Sequence, residues 1–150
     1  MRQGLAAWHA TGAKVIRPYG LALLAAASAQ MDQREEGLTL LAQALAVIND
    51  TGERRWEAEL YRLTGELLLA RATGQDTEAE TCFRQALDIA RRQQAKSWEL
   101  RAAMSLARLW QRQGKRDAAR QVLAEVYGWF TEGFDTADLQ EARALLAALS

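Results

Sequence analysis

The chain has 150 residues, the length of one ordinary domain, and its 19 Lys and Arg residues balance 19 Asp and Glu residues. This zero net charge lacks the surplus of cations with which nucleic-acid-binding proteins neutralise phosphates, so we expect no nucleic acid partner. The single cysteine, Cys82, cannot form an internal disulfide, which favours a reducing compartment and predicts a cytoplasmic protein. The longest apolar run, Gly20 to Ala29, is about half of the roughly 20 residues that cross a bilayer, so we expect no membrane span.

Composition and repetition together predict stacked helices. The 30 Ala and 22 Leu residues favour long helices. Thr11-Gly12 recurs as Thr51-Gly52, and Trp56 corresponds to Trp98 in a further copy, which gives a period of about 40 residues. A pair of amphipathic helices cannot bury its apolar face alone, so such pairs stack. We therefore predict an all-α fold, a right-handed α-solenoid of antiparallel helix hairpins with about seven helices plus an N-terminal partial helix.

The predicted elements follow one another within a single helical-repeat domain over residues 1–150. The first residues correspond to the end of a second helix, so we expect the tail of a truncated repeat and a chain that is a fragment of a longer solenoid. At the other end, an apolar stripe from Leu139 to Leu149 predicts a capping helix, with Trp129, Phe130 and Phe134 packed beneath its start. The tail, the three helix hairpins and the cap are predicted at 1–10, 13–50, 53–92, 95–128 and 135–150.

The second helix of each copy carries a small residue, a large apolar residue and a further small or apolar residue at positions i, i+4 and i+7. These positions share one helix face, so a neighbouring helix can approach closely over the small residue. Trp56 and Trp98 lie near the starts of first helices, where we expect them to pack between units. The three triplets are Gly37, Leu41 and Ala44; Ala79, Phe83 and Ala86; and Ala119, Leu123 and Val126.

The pattern of small and large residues resembles the tetratricopeptide repeat. More closely, residues 51–62, 83–93 and 127–135 resemble the C-terminal helical-repeat region of large bacterial predicted ATPases, some of which also carry a nucleotide-cyclase or transcription-factor domain. The resemblance implies a helical scaffold for protein binding or signal sensing. It also implies that the ATPase and cyclase motifs lie upstream of such a region, in a larger parent protein.

Candidate catalytic residues are sparse. His9 has no Cys, Asp or Glu at helical ligand spacing, so the sequence predicts neither a metal site nor a general base there. Cys82 precedes the apolar Phe83, which favours a structural thiol over a nucleophile. The isolated glycines form no phosphate-binding loop. We therefore expect a protein that is not an enzyme and that needs no cofactor.

The predicted binding surface is the concave face, which first helices line in a solenoid of this kind. Arg62, Arg101 and Arg108 could grip a carboxylate of a protein or peptide there. A solvated groove without a ligand remains the alternative for the same residues. The candidate groove residues are Tyr19, Glu59, Arg62, Glu66, Arg101, Met104, Arg108 and Gln111.

Three functional hypotheses follow from these patterns. The first is a non-catalytic scaffold for protein association or signal sensing, and the second is a sensor that binds a charged metabolite in the groove. The third is self-association into a homodimer through an apolar N-terminal face around Leu5 and Trp8, which lacks its neighbouring repeat.

Overall fold

Six α-helices and no strand are present in the part of the chain that the structure describes. The structure is a computed structural model, and its described residues are 34–51, 54, 56–71, 74–133 and 136–150. The all-α class predicted from the sequence is confirmed for these residues, whereas Leu5, Trp8, His9 and Tyr19 lie outside them. The helices are α1 Arg34–Thr51, α2 Glu57–Arg71, α3 Asp76–Arg92, α4 Lys96–Arg112, α5 Arg116–Tyr127 and α6 Ala137–Leu149.

Each helix packs against the next one in the chain, and alternate helices meet as well. Helix α2 contacts α4, and α4 contacts α6. Among the described helices, α4 therefore has four neighbours, α2, α3, α5 and α6, and its residues 102–107 are all buried. The main hydrophobic core is built around α4 and continues into α3, α5 and α6. A second cluster, which includes Leu41, Ile48 and Leu60, joins α1 to α2.

The small-residue faces predicted for the second helices are confirmed. Ala79, Phe83 and Ala86 on α3 are completely buried, and the corresponding residues of α1 and α5 are buried as well. The closest approach is between α2 and α3 at Gly65. A Cβ atom added to Gly65 would lie 2.5 Å from Cε1 of Phe83, which is far inside van der Waals contact. Only glycine therefore lets the Phe83 ring approach α2 this closely.

The two repeat-related tryptophans do pack against each other. The rings of Trp56, just before α2, and Trp98, in the first turn of α4, are 5.6 Å apart and meet edge to face at 65°. This geometry is the favourable one for aromatic quadrupoles. The predicted contact between units is thus confirmed at this pair.

The connections that follow α3 and α4 have the same backbone geometry. In the first, Gln94 donates to the carbonyl of Arg91 and Ala95 donates to that of Ala90; in the second, Gly114 and Lys115 make the equivalent bonds. This is the Schellman arrangement, which places the residue after the C-cap in the left-handed region. Gly114 adopts φ +79° there and Gln94 adopts φ 55°. Gln94 has a Cβ atom, so it holds this conformation at an energetic cost.

Helix α6 buries its predicted apolar stripe, but one expectation about its surroundings is wrong. Leu139, Ala142, Leu145 and Leu149 are all buried. Trp129, by contrast, is 57% exposed and does not lie beneath the start of α6. Its ring meets that of Phe130 at nearly a right angle, and the ammonium group of Lys96 lies 5.3 Å from its centroid. Phe130 is partly buried against the core, and Phe134 lies outside the described residues.

The left-handed conformation of Gln94 predicts that Gln94→Gly stabilises the protein. The substitution removes the left-handed penalty of about 1–2 kcal/mol, and the greater freedom of glycine in the unfolded chain offsets part of that gain. We expect a net increase of about 0.5–1 kcal/mol in the free energy of unfolding, measured by urea denaturation. Gln113→Gly is the matched control, because Gln113 has φ −84°. It should lose stability, and a gain in both variants would contradict the explanation.

The contact between Gly65 and Phe83 predicts that Gly65→Ala destabilises the protein although alanine favours helices. Overpacking costs about 1–3 kcal/mol, whereas the gain in helix propensity is about 1 kcal/mol. Combining Gly65→Ala with Phe83→Leu should recover part of the loss, because the smaller side chain leaves room for the new methyl group. A double-mutant cycle by urea denaturation measures this coupling. Strict additivity of the two substitutions would show that the helices do not depend on this contact.

Candidate functional site

The predicted groove residues lie on two helices that pack side by side. Glu59, Arg62 and Glu66 are on α2, and Arg101, Met104, Arg108 and Gln111 are on α4, which contacts both α2 and α6. Tyr19 lies outside the described residues. We call the surface of these three helices the α2–α4–α6 face. It is defined by Glu59, Arg62, Glu66, Arg101, Ser105, Arg108, Asp138 and Glu141, which are connected by the ion pairs and hydrogen bonds described below.

A buried carboxylate lies at the centre of the α2–α4–α6 face. Glu59 is 6% exposed, and its two oxygens accept hydrogen bonds from Nε and Nη2 of Arg62 at 3.0 and 2.6 Å. Nη1 of Arg101 lies 2.9 Å from Oε1 of the same carboxylate. Two of the three arginines predicted to grip a ligand are therefore held by a carboxylate of the chain itself. The sequence placed Glu59, Arg62 and Arg101 on one surface but did not indicate that Glu59 pairs with both arginines.

Ser105 joins the central pair to Glu66. Its Oγ donates a 2.8 Å hydrogen bond to Oε1 of Glu66 and accepts a longer contact, 3.4 Å, from Nη1 of Arg62. Ser105 is 2% exposed, so its hydroxyl needs these partners. No motif in the sequence singled it out. Its position one helical turn after Arg101 was the available signal.

Helix α6 supplies two further carboxylates to this face. Oδ2 of Asp138 lies 3.9 Å from Nε of Arg101, and Oε2 of Glu141 lies 3.4 Å from Nη2 of Arg108. Helix α6 thus lies beside α4 as α4 lies beside α2. The sequence interpretation treated α6 only as a cap and therefore missed both residues. A further shift of about 40 residues from Trp98 and Arg101 leads to Asp138 and Glu141 and was the signal that could have found them.

Arg62 keeps its charge in this buried setting. Burial by itself lowers the pKa of Arg62, but the hydrogen bond to Glu59 and the charges of Glu59, Glu66 and Asp138 outweigh that effect and raise the pKa. A cation with a raised pKa contributes stability below its unfolded-state pKa and loses it only as the pH rises through the folded-state pKa. Because arginine already titrates far above neutrality, Arg62 introduces no pH dependence near pH 7.

Met104 and Gln111 are not among the residues that form the ion pairs and hydrogen bonds of the α2–α4–α6 face. Met104 is 3% exposed and belongs to the main hydrophobic core, so its assignment to the groove surface is corrected. Met104 is buried because α4 packs against four described helices, which leaves few of its central residues at the surface. Gln111 is exposed near the end of α4.

A pocket of about 310 Å³ lies between α2 and α4 next to Ser105. Leu69 and Leu109 provide apolar walls, and Arg108 and Arg112 stand one helical turn apart on α4. The pair between Arg108 and Glu141 is exposed on both sides and therefore weak. Within the described part of the chain Arg112 makes no ion pair. Glu66 and Ser105 of the α2–α4–α6 face also line this pocket, and Arg108 and Arg112 offer their guanidinium groups to a ligand there.

Other candidate chemistry is limited among the described residues. Burial and the charge of Glu78 raise the pKa of the Cys82 thiol, which disfavours the reactive thiolate. No group of three or more His, Cys, Asp and Glu residues in the described ranges could hold a metal ion. None of the helices described is both long and apolar enough to cross a membrane.

Comparison with known proteins adds no relative to this picture. No protein-family model matches the chain, and no curated protein shows significant similarity to it.

The central position of Glu59 predicts a large effect for Glu59→Gln. The amide cannot replace the charge that Arg62 and Arg101 share, and breaking a buried pair costs about 3–5 kcal/mol. We expect a loss of about 3 kcal/mol in the free energy of unfolding by urea denaturation. Arg108→Gln breaks the exposed pair with Glu141 and should cost less than about 1 kcal/mol. Similar small losses in both variants would show that Glu59 is not a structural centre.

Proposed function

We propose that the chain is a non-catalytic module for protein association, built as a tetratricopeptide-like right-handed solenoid of antiparallel helix hairpins. Support comes from the side-by-side packing of alternate helices α2, α4 and α6. In a solenoid the first helices of successive hairpins pack in this way and present one continuous face. The Trp56–Trp98 contact at equivalent positions of two copies adds further support.

The proposed partner is a peptide segment that carries a carboxylate next to apolar side chains. The single observation behind this choice is the pocket between α2 and α4, where Arg108 and Arg112 flank Leu69 and Leu109. A guanidinium group binds a carboxylate through paired hydrogen bonds, and apolar walls give the neighbouring residues a place to bury surface. Arg62 and Arg101 instead position α2 against α4, because Glu59 already occupies them.

The parent protein is, in our proposal, a larger bacterial regulatory ATPase or cyclase in the cytoplasm, and this module transmits its association state. This part of the proposal depends on the resemblance of residues 51–62, 83–93 and 127–135. Homodimerisation through Leu5 and Trp8 stays a separate prediction, since both residues lie outside the described ranges.

A charged-metabolite sensor is the second candidate function. The observation in its favour is the size of the same pocket, since about 310 Å³ lies at the lower end of the range for small-molecule sites. A small dicarboxylate could bind Arg108 and Arg112 together.

A peptide array separates the two candidates. Twelve-residue peptides that combine Asp or Glu with Leu should bind the full chain, and their affinity should fall as salt rises. The double variant Arg108→Glu, Arg112→Glu should weaken binding by at least about tenfold, because one lost charged contact of this kind is worth about 1.4 kcal/mol or more.

Arg120→Glu provides the matched control, because Arg120 is exposed on α5 and does not line the pocket. It should leave binding unchanged. Binding of citrate or glutamate that depends on Arg108 and Arg112, without peptide binding, would replace the scaffold proposal by the sensor. If neither class of ligand binds, both proposals are wrong.

A further inference from the structure

A second and larger cavity lies at the opposite end of α4, away from the Arg108–Arg112 pocket. Its volume is about 670 Å³, and it lies between the first turn of α4, the segment after α5 and the start of α6. Leu100 and Leu139 form its apolar walls, and Trp129 and Phe130 contribute aromatic rings. This volume is typical of small-molecule sites.

Trp129 is an exposed aromatic ring that is already held in a fixed position. Trp129 is an exposed large hydrophobic residue among those described, with 57% of its surface accessible to solvent. Phe130 meets it edge to face, with the ring centroids 5.2 Å apart. The ammonium group of Lys96 lies 5.3 Å from the Trp129 centroid, and Oε1 of Glu99 holds that ammonium group at 3.0 Å. Lys96 itself does not line the cavity.

The charged side chains that line this cavity are acidic. Glu132 makes no ion pair within the described ranges, and it is exposed. Asp138 is 3.9 Å from Nε of Arg101, too far for a hydrogen bond, so its oxygens can accept further partners. The nearby cations Lys96 and Arg101 are each bound to a buried carboxylate, Glu99 and Glu59 respectively. The combination of aromatic rings and acidic side chains is complementary to a cation.

We propose that the cavity lined by Trp129, Phe130, Glu132 and Asp138 binds an alkylated ammonium group. The rings attract the cation through their electron-rich faces, and the carboxylates balance its charge. A bare ammonium ion would fill little of about 670 Å³, so the group carries carbon substituents that contact Leu100 and Leu139. This site is separate from the Arg108–Arg112 pocket, so either proposal can be wrong while the other holds.

Titration of the full chain with choline, and with a peptide that contains trimethyllysine, tests the proposal. The indole N–H signal of Trp129 in a ¹H–¹⁵N spectrum, assigned through Trp129→Phe, should shift saturably with at least one of the two probes. Binding of choline alone would identify the ligand class as a free metabolite, and binding of the peptide alone would identify it as a protein segment. The neutral isostere 3,3-dimethylbutanol should bind at least about fivefold more weakly, because it lacks the charge that the rings recognise.

Trp129→Leu keeps an apolar side chain at an exposed position and should weaken binding by at least about fivefold without changing the melting temperature. Glu132→Gln with Asp138→Asn should weaken it as well, whereas Glu125→Gln on α5 is the matched control and should not. The proposal is overturned if neither probe binds saturably, if the neutral isostere binds as well as choline, or if Trp129→Leu has no effect.

Discussion

The close packing of α4 against four neighbouring helices is the constraint on which the described structure depends. Residues 102–107 are buried without interruption, and three of those six residues are alanine. Small side chains let neighbouring helices approach from several sides, as Gly65 does for the Phe83 ring between α2 and α3. With α4 enclosed in this way, its polar side chains have few directions left. Ser105 and Glu99 are consequently buried and paired with other residues of the chain.

The buried carboxylates follow from the same packing. Glu59 binds Arg62 and Arg101, and Glu99 is bound by Arg91 and Lys96 at 3.2 and 3.0 Å. Pairs of this kind add little net stability because desolvation costs nearly as much as the attraction returns, but breaking one is costly. The pair of Glu59 with Arg101 joins α2 to α4 and thereby favours one register of these two helices. Arg62 and Arg101 already bind a carboxylate of the chain itself.

The candidate site was only partly predictable for this reason. Spacing along α2 and α4 correctly grouped Glu59, Arg62 and Arg101, because residues one turn apart share a helix face. Which carboxylate binds which guanidinium depends on the distance and register between two helices, which sequence spacing does not contain. Trp129 shows the same limit. Its position among aromatic residues indicated a buried cluster, yet the turn after α5 leaves its ring at the surface beside Lys96.

The amino-acid sequence by itself determined the helical class and the buried small-residue faces of the helices, because composition and periodicity act over one or two helical turns. The triplet around Phe83 followed from the internal repeat, which also indicated that Trp56 and Trp98 take part in packing, whereas their contact with each other is a result of the structure. Only the tertiary structure decided that Glu59 pairs with two arginines and that α6 adds its carboxylates beside α4. Those contacts join residues tens of positions apart, and their geometry exists only once the helices have packed.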